Sequence, residues 1–130
     1  MQTLPESFSS LSSMRELEMQ GCKGILTLPD GLGSLRGLER LNMHLCIQLQ
    51  NLPDTFRSLS SLQRLSMKHC DQVEALPDSF GCLNSLEWFE LTGCKRMQRL
   101  PDSIGSLSSL KDMDMKSCTQ IQMLPDSFGN

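Results

Sequence analysis

The stretch LPDGLGSLRGLERLNMHLCIQLQN, residues 28–51, carries a pattern that the rest of the chain repeats. Residues 52–75 read LPDTFRSLSSLQRLSMKHCDQVEA and keep the proline, the acidic residue, the leucines and the cysteine at the same steps. The prolines recur every 24 residues along the 130-residue chain, at Pro5, Pro29, Pro53, Pro77, Pro101 and Pro125. A fixed period of this size indicates a solenoid or another repeat array.

Division before each Leu-Pro pair yields the units 4–27, 28–51, 52–75, 76–99 and 100–123, with a partial unit at 124–130. Eight positions are apolar in all five full units; in the second unit they are Leu28, Leu32, Leu35, Leu38, Leu41, Met43, Cys46 and Leu49. One unit cannot bury eight apolar side chains alone, so we expect stacked units to bury them against each other in a single domain. The brief alternation at Leu41-Asn42-Met43 predicts one short strand per unit with one buried face.

The consensus unit LPxSFGxLxxLxxLxMxxCxxLxx resembles a plant-type leucine-rich repeat, and in particular the repeats of plant nucleotide-binding immune receptors. The resemblance covers essentially the whole chain. It implies an α/β solenoid, a right-handed coil with a parallel β-sheet on the concave side and 3₁₀ helices or short turns on the convex side. It also implies a recognition module, either the sensing part of an intracellular receptor of plant defence or a stand-alone relative.

An acidic residue follows each proline, at Glu6, Asp30, Asp54, Asp78, Asp102 and Asp126. Its carboxylate can accept hydrogen bonds from the free N–H groups of a short helical turn, so we expect this column to cap the convex turns. A calcium site is the weaker interpretation, because calcium needs six to eight oxygen ligands around one point and these carboxylates lie along a line.

The segment MKHCDQVE, residues 67–74, looks like a metal or proton-transfer site, but its cysteine belongs to a column with the same period. That column is Cys22, Cys46, Cys70, Cys94 and Cys118. A zinc site needs four converging ligands, whereas one cysteine per coil predicts a structural thiol that turns inward. Cys82 falls in a serine column and is either a reactive surface thiol or a neutral replacement. His44 and His69 occupy different columns, and we expect both to be exposed and not to stack.

The outward strand positions vary freely between units while the buried ones hardly vary. The predicted partner-binding residues on this concave face are Glu16, Glu18, Gln20, Arg40, Asn42, His44, Arg64, Ser66, Lys68, Trp88, Glu90, Thr92, Asp112, Asp114 and Lys116. Trp88 is expected to be an exposed aromatic between Arg64 and Asp112, the residue mix of interface hot spots. The alternatives are a merely solvated sheet face and a tryptophan that only covers the sheet.

The residues suggest no enzyme: there is no Ser-His-Asp order, glycine-rich phosphate loop or HExxH motif, and we expect no catalytic residue, cofactor or metal. The net charge of -3 argues against nucleic acid and anionic membranes as partners. No long apolar segment or secretory signal is visible, and five in-register thiols favour a reducing compartment, so we expect a cytoplasmic protein.

Two functions remain open at this point. One is a module that binds a protein partner through the concave face. The other is a self-associating structural or engineered repeat protein without an outside ligand, because solenoids need polar capping units and none is recognised here. We expect uncapped ends to favour homo-oligomers.

Overall fold

The computed structural model describes residues 13–121, which form a coil with one short strand per unit. The strands are β1 (Glu16–Glu18), β2 (Arg40–Asn42), β3 (Arg64–Ser66), β4 (Trp88–Glu90) and β5 (Asp112–Asp114). They form one parallel sheet in the order β1-β2-β3-β4-β5. The predicted fold class is therefore confirmed. The predicted unit segments 4–12 and 122–130, which include Pro5, Glu6, Pro125 and Asp126, lie outside the described residues.

The sheet register follows the sequence period, since each strand residue pairs with the residue 24 positions later. Leu41 pairs with Leu17 on one side and with Leu65 on the other. The ladder continues past each strand, because the Met43 N–H donates to the Ser66 carbonyl at 2.8 Å and the Leu45 N–H donates to the Lys68 carbonyl at 2.8 Å. Every coil thus lies in register with the next.

The opposite side of the coil carries 3₁₀ helices, and the described residues include four of them, Asp30–Ser34, Asp54–Ser58, Asp78–Cys82 and Asp102–Ser106. The prediction that the acidic column caps them is wrong. The cap position belongs to the preceding proline, which has no side-chain acceptor, and the acidic residue is the first residue of the helix. A carboxylate in a first turn still interacts favourably with the helix dipole.

Hydroxyl groups of the following coil tie these helices together instead. The Thr55 hydroxyl donates to the Asp30 backbone carbonyl at 2.8 Å, and the Ser103 hydroxyl donates to that of Asp78 at 2.7 Å. The helices also approach closely: a side chain at Gly81 would run into the Ser103 backbone. Close packing and inter-coil hydrogen bonds therefore hold the convex side.

The core consists of the eight apolar columns. In the coil of residues 52–75 all eight side chains are buried, and Phe56 stacks against Phe80 of the next coil with ring centroids 6.1 Å apart. Phe80 also contacts the strand residue Phe89 at 5.0 Å. Burying one such leucine or phenylalanine side chain contributes about 1.5–3 kcal/mol. Among residues 13–121 no polar or charged residue is buried.

A column of left-handed backbone follows the strands, at Gly21, Leu45, His69, Gly93 and Ser117, with φ between 60° and 78°. This conformation turns the chain inward so that the next residue, the cysteine of the unit, enters the core. Glycine adopts it without strain, whereas leucine, histidine and serine have a Cβ that opposes it. Within residues 13–121 no helix is long or apolar enough to cross a membrane.

Candidate functional site

The outward residues of the five strands lie in three rows on one face of the sheet. The first row runs through Glu16, Arg40, Arg64, Trp88 and Asp112, which are neighbours in the register. The second row is Glu18, Asn42, Ser66, Glu90 and Asp114. The third row, Gln20, His44, Lys68, Thr92 and Lys116, lies just past the strands, where the backbone ladder continues. The structure thus brings all predicted concave-face residues onto one surface.

The centre of the concave face is an open groove of about 340 Å³. All of its lining residues except the strand residue Leu41 belong to the predicted set, and they are Glu18, Arg40, Asn42, His44, Arg64, Ser66, Lys68, Trp88 and Glu90. Most of the lining residues lie on β2, β3 and β4, whereas Glu18 lies on β1, and His44 and Lys68 follow β2 and β3. Trp88 was expected to be exposed and is half-buried, because β4 has a neighbouring strand on each side and Trp88 lies between Arg64 and Asp112.

Charges on this face are unevenly compensated. Arg40 forms an ion pair with Glu16 at 3.0 Å, and the Ser66 hydroxyl donates to the Glu90 carboxylate at 2.9 Å. Arg64 is exposed, and among the described residues its guanidinium forms no ion pair. Surface ion pairs contribute about 0–1 kcal/mol each to stability, so these contacts matter mainly for the distribution of charge over the concave face.

The β5 side of the face is acidic. The backbone N–H of Lys116 donates to the Asp114 carboxylate at 3.0 Å, and this bond lowers the pKa of Asp114. The positive charges of Lys116 and Lys68 act in the same direction. Asp114 therefore carries its negative charge at neutral pH.

The cysteine column lies behind this face and connects successive coils. The thiols of Cys46, Cys70, Cys94 and Cys118 each donate to a backbone carbonyl of the preceding coil, at 3.2, 3.1, 3.0 and 3.0 Å. Burial raises the pKa of Cys46 to about 11 and that of Cys94 to about 12. These thiols stay protonated and act as hydrogen-bond donors inside the coil. Cys22, the first of the column, is half-buried.

Cys82 differs from this column, because it is an exposed free thiol at the end of the Asp78–Cys82 helix. Among the described residues, no group of three or more His, Cys, Asp or Glu side chains could hold a metal ion. The segment MKHCDQVE therefore divides between the core, the concave face and the turn that follows it.

The expectation that both histidines are exposed is wrong, because both side chains are half-buried. Their ring centroids are 6.4 Å apart and the ring planes are inclined by 30°, so the rings are close but tilted and not stacked. The left-handed backbone of His69 turns its ring over Gly93, where any side chain would collide with it. Two glycines in a column of five were the signal in the sequence for this turn.

Comparison with known proteins tests the fold. A leucine-rich-repeat protein of Leptospira interrogans superposes with a TM-score of 0.65 and 22% identity, over 97% of this chain and 40% of that one. This chain has the leucine-rich-repeat fold. The plant peptide hormone receptor RGFR1 in complex with RGF2 superposes with a TM-score of 0.60 and 20% identity, over 98% of this chain and 28% of that one.

This leucine-rich-repeat chain spans less than half the length of either structure. No protein-family model and no curated protein matches its sequence. The structural similarity, at this level of identity, concerns the fold alone.

Proposed function

We propose that this chain is a non-enzymatic recognition module that binds a protein partner through its concave face. The observation that carries the proposal is the contrast between two sets of columns. The inward columns are apolar in every full unit, whereas the outward columns combine Arg64, Trp88 and Asp112 at equivalent positions. Residues on such a face can change without disturbing the core, so the face can evolve toward a partner.

The groove supports the same proposal. It combines a half-buried tryptophan with an arginine that forms no ion pair among residues 13–121. Tryptophan and arginine are the residues most enriched in binding hot spots. A receptor of the same fold, the plant peptide hormone receptor RGFR1, was solved in complex with RGF2, which supports a recognition role.

The cellular setting is part of the proposal. We place the module in the cytoplasm, because the cysteines of the described residues are free thiols and a reducing compartment keeps thiols in that state. The plant-type repeat pattern further leads us to propose a role as the sensing part of an intracellular receptor of plant defence.

Site-specific photo-crosslinking tests the proposed face. A photoreactive amino acid replaces Ser66 at the centre of the concave face or, as the control, Arg57 in the convex helix Asp54–Ser58. In extract of the source tissue, we expect a discrete crosslinked protein from the Ser66 position that is absent from the Arg57 position. Crosslinking only from Arg57 would show that the binding surface is convex.

Self-association is the second candidate, and burial in the last described coil favours it. Leu110, Met113 and Met115 are half-buried there, whereas the corresponding residues of the coil at 52–75 are buried. Partly exposed core side chains can be covered by a second copy. Light scattering over a concentration series tests this, and a mass that stays monomeric up to millimolar concentration would exclude it.

A further inference from the structure

We infer that the groove on the concave face recognises a short acidic segment of polypeptide, with a carboxylate side chain bound by Arg64 and a neighbouring apolar side chain packed against Trp88. The inference rests on the proposed function and specifies the chemistry of the partner. Charge complementarity at the groove carries it.

Arg64 is the main binding group because it lacks a compensating charge. Its register neighbour Arg40 pairs with Glu16 at 3.0 Å, while Arg64 forms no ion pair within the described part of the chain. Two arginines side by side repel each other across a sheet. A carboxylate from outside would relieve this repulsion and could form two parallel hydrogen bonds with the guanidinium.

The remaining groove residues strengthen the positive centre. The groove lining includes three cationic residues, Arg40, Arg64 and Lys68, and two carboxylates, Glu18 and Glu90. The Glu90 carboxylate already accepts a hydrogen bond from Ser66. Three cationic groups therefore line a space of about 340 Å³ with Trp88 beside them, and of these Arg40 is already paired with Glu16, while Arg64 is not paired with a carboxylate of the described residues.

The borders of the face limit the length of the ligand. β1 contributes Glu16 and Glu18, and β5 contributes Asp112 and Asp114, so the positive centre lies between two acidic borders. Adjacent strands are about 4.8 Å apart, which places the borders within about 10 Å of Arg64. A long polyanion would meet repulsion at both borders, whereas one or two acidic residues fit between them. This favours a peptide over a nucleic acid.

Trp88 provides the apolar half of the contact. It pairs in register with Arg64, so a carboxylate and an adjacent apolar side chain of one extended segment can reach both residues. Its half-buried indole has lost part of its hydration already, and apolar contact with it is favourable.

The chain offers a direct readout, because Trp88 is its only tryptophan and it has no tyrosine. The probes are acetylated and amidated nonapeptides with a central Leu-Glu-Leu, Leu-Gln-Leu or Leu-Lys-Leu between Gly-Ser flanks. We expect the Leu-Glu-Leu peptide to change Trp88 fluorescence saturably and to bind at least about tenfold more tightly than the Leu-Gln-Leu peptide, as expected for a hydrogen bond between charged groups. The Leu-Lys-Leu peptide should bind more weakly still.

Matched variants locate the effect. Arg64→Glu should abolish the preference for the glutamate peptide, whereas Arg57→Glu, the same charge change on the convex side, should leave it intact. Arg64→Lys should retain the preference but weaken binding, because an ammonium cannot form the two parallel bonds. Thermal unfolding of each variant confirms that it is folded.

Each contrary result overturns the inference. Equal binding of the three peptides, or a preference for the glutamate peptide that survives Arg64→Glu, would refute the acidic partner. Neither result would refute the proposal that the concave face binds a protein. The same holds if no peptide changes the fluorescence up to millimolar concentration while crosslinking from Ser66 succeeds. If a thymidine oligonucleotide bound more tightly than the Leu-Glu-Leu peptide and lost this binding in Arg64→Glu, the ligand of the groove would be a nucleic acid and not a peptide. Failure of the crosslinking experiment at Ser66 would instead refute the proposed function itself.

Discussion

The thiol of Cys70 donates to the backbone carbonyl of Met43, 27 residues earlier and one coil back, at 3.1 Å. The bond is buried and is the second that this carbonyl accepts, since the Cys46 N–H also donates to it at 3.2 Å. The cysteine thus combines the volume of a small apolar residue with one directional contact between coils.

Removing this thiol should destabilise the coil. We expect Cys70→Ala to lower the free energy of unfolding by about 1–3 kcal/mol, because it leaves a small cavity and removes one of the two hydrogen bonds that the Met43 carbonyl accepts, the other coming from the Cys46 N–H at 3.2 Å. Urea denaturation monitored by circular dichroism measures the change. The matched control is Cys82→Ala on the exposed convex side, which should stay within about 0.5 kcal/mol of the parent protein. Equal effects of the two changes would contradict a structural role for the column.

The buried thiols also predict a loss of stability at alkaline pH. Burial raises the pKa of Cys46 to about 11 and that of Cys94 to about 12, whereas a thiol in the unfolded chain ionises near its ordinary value. The folded state then holds its protons more tightly, so the stabilisation is complete below the unfolded-state thiol pKa of about 8.5 and is lost progressively as the pH rises from there through the folded-state values of about 11 and about 12. Urea denaturation at pH 7, 9 and 10 should show this decline. A Cys46→Ala/Cys94→Ala variant should decline less steeply, and an identical slope would refute the assignment.

Reactivity of the thiols should follow their burial. At pH 7.5 a maleimide should modify the exposed Cys82 within minutes in the native protein and leave Cys70 unmodified until the protein unfolds, because the thiolate is the reactive form. Mass spectrometry of peptides after timed labelling identifies the sites. Comparable native labelling of Cys70 and Cys82 would show that the coil opens readily.

The left-handed column predicts a stabilising substitution. Ser117 has φ 62°, and its exposed side chain contributes no burial, so Ser117→Gly should raise the free energy of unfolding by about 0.5–1 kcal/mol. The control is Ser108→Gly, an exposed serine of the same coil without positive φ, which should be neutral or destabilising. Differential scanning calorimetry of both variants gives the comparison. Stabilisation by both, or by neither, would argue against backbone strain at Ser117.

The close approach of the convex helices predicts that a substitution at Gly81 strongly destabilises the protein. A methyl group at Gly81 would collide with the Ser103 backbone of the next coil, which cannot move without separating two helices. We expect Gly81→Ala to cost about 1–3 kcal/mol, as overpacking does. Gly105, the exposed equivalent one coil later, supplies the control Gly105→Ala, which should cost less. Equal melting temperatures of the two variants would show that the helices can separate at little cost.

Much of the fold could be predicted from the sequence, because burial and period are both properties of residue columns. Leu41 is buried, and the equivalent residues of the other described coils are buried or half-buried. The register between β2 and β3 equals the 24-residue period. The cap prediction failed for a local reason: Asp30 looks like a capping residue, but Pro29 already holds the cap position and the turn begins at the aspartate.

The candidate face could be predicted only in part. The alternation of inward and outward positions identifies which side chains lie on it. It does not indicate which charges are compensated, since that depends on how side chains of different coils meet. Glu16 pairs with Arg40 and leaves Arg64 without a carboxylate among the described residues, although both arginines look alike in the repeat alignment.

The repeated apolar pattern was sufficient to predict the coil, its period, its buried columns and the residues of the concave face, because units with the same pattern stack in register. Two features could be seen only in the folded chain, namely the approach of the His69 ring to that of His44 and the unequal pairing of Arg40 and Arg64. Both depend on contacts between side chains of successive coils, and such contacts leave no period in hydrophobicity.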